Sequence, residues 1–205
     1  MKHMSTPRGM TNQALLVTHE LGAVRVGDLR ARGIHPEALR RLVRRGLVER
    51  LGPDLYRATE APITENHGLV LAAQTVPRGV VCLLSALRFH WLTTELPSEV
   101  WMALDRRAAK PRAPYPRLQI VRFSGAALTA GVQTHALEGV TVRVYGPAKT
   151  VVDCFKYRHK LGVDVAVEAL RDYLARRDRD LEELMRLAKA CRMANVMQPY
   201  LEALL

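Results

Sequence analysis

Cysteine is scarce in this chain. Only Cys82, Cys154 and Cys191 occur among 205 residues, widely separated and odd in number. No CxxC pair or Cys/His cluster accompanies them, so neither a disulfide framework nor a zinc site is indicated, and a reducing cytoplasm is the expected compartment. Long apolar runs are missing too. The longest candidate, residues 79–87, falls far short of the roughly 18–20 residues a membrane-spanning helix needs, and no membrane association is expected. Residues 1–4 carry no apolar secretory stretch and are left out of fold reasoning. The phosphate-cradling GxxxxGK[ST], the zinc-binding HExxH and the nucleophile elbow GxSxG are all absent. The expectation is a protein that is not an enzyme, with no metal and no cofactor.

Acidic residues are also in deficit. Thirty-one Lys and Arg face 20 Asp and Glu, a formal +11, and all but six of the bases are arginine. Such an excess favours a polyanionic partner. Its distribution is uneven: residues 1–60 hold 11 basic and 6 acidic side chains, whereas 61–205 hold 20 and 14 over more than twice the length. With 48% hydrophobic residues spread along the chain, there is ample material for a packed core, and low-complexity disorder is excluded.

The first sixty residues punctuate clearly. Thr11 or Asn12 can cap a helix carrying Leu15, Leu16 and Leu21, stopped by Gly22. Residues 23–26 read as an apolar connector, and 27–32 as a short second helix ended by Gly33. Pro36 opens a third helix that runs to about Arg45, with Gly46 as its C-terminal cap. At about 100° per residue, Leu39, Leu42 and Val43 share one face of that helix. Arg40, Arg41 and Arg44 occupy the other together with Glu37, and Arg45 lies on the flank. One carboxylate against four guanidinium groups leaves the stripe un-neutralised. An alternating segment at 47–51, the turn Gly52-Pro53-Asp54 and a return at 55–57 then predict a β-hairpin.

Three helices followed by a hairpin is the order of a winged helix-turn-helix, in which the third helix enters the DNA major groove. Arginine suits both guanine edges and phosphates. The candidate DNA-binding residues are therefore Arg40, Arg41, Arg44 and Arg45, with His35 and Glu37 at the helix start and Arg50, Tyr56 and Arg57 on or beside the wing. The other class of reading is a protein-interaction module that does not bind DNA and whose winged helix is basic only incidentally.

Downstream, helices are predicted at 65–75 and 81–90, strands at 99–104, 118–123 and 140–145, a helix opening at Pro147, and three helical pieces at 163–176, 180–191 and 194–204. The class is α+β: a winged helix-turn-helix domain at 1–60, then an α+β domain at 61–205 with a helical C-terminal part, separated near Ala61-Pro62. Between 106 and 122, Arg106, Arg107, Lys110, Arg112, Arg117 and Arg122 meet no acidic neighbour. That basic stretch reads either as a solvated loop or as a second patch for nucleic acid, with Tyr115 offering a stacking face. Lys149 and Asp153 stand four apart and read as an ion pair rather than a catalytic dyad. Cys154, beside Asp153 in an apolar run, reads as a buried structural thiol, and His90 as a packing residue between Phe89 and Trp91. His159 is the remaining histidine near that segment.

The phrase Gly46-Leu-Val-Glu-Arg-Leu-Gly-Pro-Asp-Leu-Tyr56-Arg57 resembles the wing of the AbiEi-type antitoxins of bacterial abortive-infection systems, with its glycine displaced to Gly52. Two further stretches resemble the same family in the same order: Ser85-Ala-Leu-Arg-Phe-His90-Trp-Leu-Thr93-Thr-Glu-Leu-Pro97, and Val142-Arg-Val-Tyr-Gly-Pro147-Ala-Lys149-Thr150-Val-Val-Asp153-Cys-Phe155. A helix containing 166–173 follows in place. The resemblance implies a transcriptional regulator of a type IV toxin–antitoxin pair active in phage defence. Its winged helix would repress the operon by binding double-stranded operator DNA. The C-terminal domain would counteract a cognate nucleotidyltransferase toxin without needing a stable complex.

Overall fold

The computed structural model describes residues 7–52, 54–60, 64–109, 111 and 116–205. The chain divides into two compact units. One comprises Met1–Gln74 with Ala136–Thr141, the other Thr75–His135 with Val142–Leu205. The boundary expected at Ala61-Pro62 lies outside the described residues.

In the first unit, helix α1 spans Pro7–Leu21. It begins before Thr11, which is buried within it rather than capping it. Gly22, at φ +72°, turns the chain out of the helix. The next residues, read as a connector, are a strand, β1 (Ala23–Arg25). Its three residues are too few to show a period, and only pairing with a distant partner defines it. Helix α2 (Val26–Ala31) is held at its start by Asp28, whose Oδ2 accepts the Arg25 N–H at 2.8 Å. Helix α3 (Glu37–Arg44) follows, ended by Gly46 at φ +70° with the Leu47 N–H returning to the Leu42 carbonyl at 3.1 Å. Strands β2 (Val48–Gly52) and β3 (Leu55–Ala58) form the hairpin, with a register shift between Arg50 and Gly52.

The sheet order is β1-β3-β2, antiparallel throughout. With the element order α1-β1-α2-α3-β2-β3 this is a winged helix. Its core joins Ala14, Val24, Leu29, Ile34, Ala38, Leu39, Leu42 and Val48. Each buried leucine is worth about 1.5–3 kcal/mol. Val43, expected with Leu39 and Leu42, is 37% exposed. Ala38 fills the core position instead, because the buried stripe leans the other way round the helix. Helix α4 (His67–Thr75) follows the hairpin.

The second unit is built on a five-stranded mixed sheet of order β6-β5-β4-β8-β7. The strands are β4 (Val80–Val81), β5 (Val100–Asp105), β6 (Leu118–Phe123), β7 (Val132–Leu137) and β8 (Val140–Tyr145). Central β4 is antiparallel to β5 and parallel to β8, and β5 is parallel to β6. The helix predicted at 81–90 is thus shorter, α5 (Leu83–Phe89), with its first residues taken by β4. An uninterrupted apolar run carries no period that separates a buried strand from a buried helix. Edge strand β7 and the one-turn helices α6 (Ala126–Thr129) and α8 (Arg158–Leu161) were not anticipated.

Helix α7 (Pro147–Lys156) is buried from Ala148 through Phe155. It packs against α5, α9 (Val163–Ala175), α10 (Leu181–Ala190) and α11 (Ala194–Leu204). Among the described residues, no helix is long and apolar enough to cross a membrane.

Candidate nucleic-acid interface

The first turn of α3 is assembled locally. Pro36 carries no N–H to satisfy, and the His35 Nδ1 accepts the Glu37 N–H at 3.1 Å. His35 is thus an acceptor for the start of the helix while its ring remains exposed. Burial of Ala38, Leu39 and Leu42 turns Arg40, Arg41, Arg44 and Arg45 outward, all four exposed. The arginines are not equivalent. Glu37 takes Arg44 Nη2 at 3.0 Å on one oxygen and Arg40 Nη1 at 3.4 Å on the other. Arg41 and Arg45 make no ion pair among the described residues.

On one side of this stripe lies an open groove of about 730 Å3, floored by Val26, Pro36 and Val43 and rimmed by Arg30, Arg40, Arg44, Arg50 and Tyr56. It runs from α3 to the wing. Arg30, on α2, was not among the sequence candidates. Its exposed position one turn before Gly33 was the available signal, hidden because α2 is too short to show a face. On the other side of α3, Arg41 and His35 border a smaller groove with Met10 and Thr11 of α1. The structure brings Glu37, Arg40, Arg44, Arg50 and Tyr56 to one groove, places His35 and Arg41 along the other side of α3, and leaves Arg45 exposed at the end of the helix.

The ninth candidate is a correction. Arg57 is only 4% exposed, because strand alternation puts it on the face of the sheet opposite Tyr56, where Glu49, Glu138 and His67 surround it. Its guanidinium meets Glu49 Oε1 at 2.5 Å and Glu138 Oε2 at 2.9 Å. Glu138 also receives His67 Nδ1 at 2.7 Å and both the N–H and hydroxyl of Thr64 at 2.9 and 3.0 Å. Burial pushes the Glu138 carboxyl up, but the hydrogen bonds from His67 and Thr64 outweigh it and hold the group below its ordinary value. Arg57 is a structural cation of the winged-helix unit. Gly139, the next residue, explains the close fit of this segment: a Cβ there would collide with the Leu21 carbonyl oxygen and the Ala23 amide.

In the second unit, Lys149 Nζ and Asp153 Oδ2 form the expected i,i+4 pair at 2.5 Å, with both side chains fully buried. Burial raises the Asp153 carboxyl to about 6 despite Lys149. Burial also pushes the Cys154 and Cys82 thiols well up, which keeps them protonated and unsuited to nucleophilic attack. His90 packs edge-on to Phe89 and gives its Nε2–H to the Tyr145 carbonyl at 2.7 Å. Burial, against that hydrogen bond, pulls its ring down to about 4. His159 is exposed on α8.

A cavity of about 490 Å3 is lined by His90, His135, Lys149, Tyr173, Arg176 and Asp178, among others. Its two fixed cations are already engaged, Lys149 by Asp153 and Arg176 by a bidentate pair with Asp178 at 2.8 Å. Of the basic stretch, Arg106, Arg107 and Arg117 are exposed. Arg122 is a correction: its Nη1 donates to the Asp105 and Ala108 carbonyls, both at 2.8 Å, and so ties down a turn. Lys110, Arg112 and Tyr115 lie outside the described residues. No group of three or more His, Cys, Asp or Glu among the described residues could hold a metal.

Comparison with solved structures finds the RV2827C protein from Mycobacterium tuberculosis, similar at TM-score 0.56 and 17% identity over 93% of this chain and 76% of that one. At that identity the likeness speaks for the fold alone. Comparison with curated proteins gives no match. Residues 17–59, the segment that holds α2, α3 and the wing, match the family model described as transcriptional regulator, AbiEi antitoxin, in agreement with the resemblance carried by the wing motif.

Proposed function

We propose that this protein is a cytoplasmic, DNA-binding antitoxin that represses its own operon. It does so by setting α3 in the major groove of double-stranded operator DNA. The observation that carries this reading is the arginine face of α3, continuous with Arg30 and Arg50 along the groove to the wing and lying within the segment that matches the regulator family. In this reading Arg40, Arg44, His35 and Glu37 contact base edges. Arg41, Arg45, Arg50 and Arg30 contact phosphates, with Tyr56 beside the wing.

Residues 61–205 counteract a cognate nucleotidyltransferase toxin without catalysing a reaction and without the arginines of α3. The helical part, residues 163–205, carries seven Lys and Arg against eight Asp and Glu, and that balance supports a protein-directed rather than a DNA-directed role.

The test is titration of the full chain against the DNA upstream of its own gene and against random duplex, from about 50 to 200 mM salt. The expected result is preferential binding that falls steeply with salt, the mark of several phosphate contacts. Weak binding that is insensitive to salt and sequence would favour the protein-interaction module and overturn the reading.

A further inference from the structure

Glu37 is out of keeping with its surroundings. It is an acid at the centre of a cationic face, and three surface grooves meet at it: one toward Arg50 and Tyr56, one toward Arg30 and Gly33, and one toward Met10 and Arg41. Its ion pairs with Arg40 and Arg44 are exposed, the arginine side chains at 77% and 71%, and pairs of that kind contribute little to stability. Yet its charge opposes the attraction of this face for any phosphate backbone. A face selected only for DNA affinity would not carry it.

Its position suggests what it does instead. Glu37, Arg40 and Arg44 lie one above another along the outermost line of α3, and the two oxygens of one carboxylate hold the two guanidinium groups in a row. An ionised carboxylate only accepts hydrogen bonds. In the major groove, guanine presents O6 and N7 and thymine presents O4, all acceptors that repel it. Adenine pairs its amino group with an adjacent N7 acceptor, whereas cytosine offers the N4 amino group with no acceptor beside it. Arginine has the complementary preference, for O6 and N7 of guanine.

We propose that Glu37 is the selectivity residue of the interface. Its carboxylate accepts from cytosine N4 while holding Arg40 and Arg44 in line for guanines on flanking pairs, so that the preferred target at the centre of α3 is a short G·C-rich step. This rests on the DNA-binding reading above. At about 1.5 Å rise per residue, Glu37 to Arg44 spans about 10.5 Å, or roughly three base pairs at about 3.4 Å each. On random DNA a cytosine stands in register only by chance, and elsewhere the same carboxylate acts as a penalty.

The experiment is selection of the full-length protein on a randomised duplex library, followed by anisotropy titrations of single base-pair variants of the selected sequence. For the wild type, one cytosine is expected whose replacement by thymine, or by N4-methylcytosine, weakens binding about tenfold or more. Glu37→Gln should lose that sensitivity and bind random duplex several-fold more tightly, with a steeper salt dependence, while its melting temperature stays close to that of the wild type. Glu37→Asp, which keeps the charge, should restore at least part of the discrimination. If Glu37→Gln keeps the same base preference and the same ratio of selected to random binding, Glu37 is only a helix-start charge and the proposal is wrong, although DNA binding stands. If the wild type selects no sequence, the DNA-binding reading fails and this inference fails with it.

Discussion

Each unit of the molecule buries an ion pair, and the two are built in opposite ways. In the first, Glu138 is 3% exposed and receives Arg57, His67 and two donors from Thr64, so both carboxylate oxygens are satisfied. In the second, Asp153 has Lys149 on Oδ2 and, among the described residues, no hydrogen-bond partner on Oδ1. The Lys149 ammonium is meanwhile faced by the rings of Tyr145 and Phe123 at 4.1 and 5.0 Å. Burial works against the charge of both carboxylates. Deeper burial and fewer hydrogen bonds leave Asp153 raised to about 6, whereas the donors from His67 and Thr64 hold Glu138 below its ordinary value. A short N···O distance alone does not reveal whether a buried carboxylate is comfortable in its charged form.

The largest consequence is expected at Glu138. Glu138→Leu strands Arg57, a cation that cannot neutralise itself, among buried groups with half-exposed Glu49 and the His67 ring left to it. The expected cost is about 3–5 kcal/mol, read by urea denaturation. A double replacement with Arg57→Leu should recover part of it, since removing both charges relieves the stranded one. Recovery of nothing would mean that the hydrogen bonds to Thr64 and His67, rather than the charge pair, hold this cluster.

Lys149→Met makes the sharper contrast. Its stranded partner, Asp153, can take up a proton, because burial has already raised it close to neutrality. The loss should therefore be smaller, about 1–3 kcal/mol for a buried polar group left without its partner, and smaller still at pH 5 than at pH 8. A loss equal to that of Glu138→Leu and independent of pH would contradict the account.

Acid titration separates the two carboxylates by window and by sign. Glu138 has a depressed value, so its contribution is present above about 4.5, the ordinary glutamate range, and lost as pH falls below it. Asp153 is raised from 3.8 to about 6, so the folded state holds the proton more tightly and stability falls as pH rises between those values. His90, pulled down to about 4, works the other way, its neutral form favouring the fold as pH rises from about 4 to 6.5. The difference between wild type and Asp153→Asn isolates the aspartate. It should slope through the window from about 4 to 6, and a flat difference would place the carboxyl at its ordinary value.

The legibility of these features in the sequence follows the separation of the residues involved. Lys149 and Asp153 are one helical turn apart, and local spacing was enough to pair them. Arg57 and Glu138 are 81 residues apart, and nothing local to Arg57 distinguishes it from exposed Arg50 on the other strand of the hairpin. The winged helix was legible because Gly22, Gly33, Pro36, Gly46 and Gly52 mark its turns, and the arginine stripe because α3 runs for two turns with one buried side. β1, β4 and Arg30 were not, since elements of two to six residues carry no usable period. That Glu37 would tie two of the four arginines together required side-chain geometry, because wheel positions place residues on a face without saying which rotamers meet.

The smallest expected effect on stability separates a buried arginine from an exposed one on the same winged helix. Arg57→Ala should unfold the first unit at lower denaturant through loss of the cation that joins Glu49 and Glu138, while the salt dependence of DNA binding, measured where the variant is still folded, stays unchanged because Arg57 never reaches solvent. Arg41→Ala should do the reverse. The side chain is exposed on α3 and makes no ion pair among the described residues, so stability should move by no more than about 0.5 kcal/mol. As a phosphate contact it should weaken binding to all sequences alike and reduce the slope of log K against log salt by about one. If both variants change the slope equally, Arg57 leaves its buried cluster when DNA binds. If neither does, the α1 side of the recognition helix faces away from the DNA, and the phosphate contacts fall to Arg30 and Arg50 on the side of the wing.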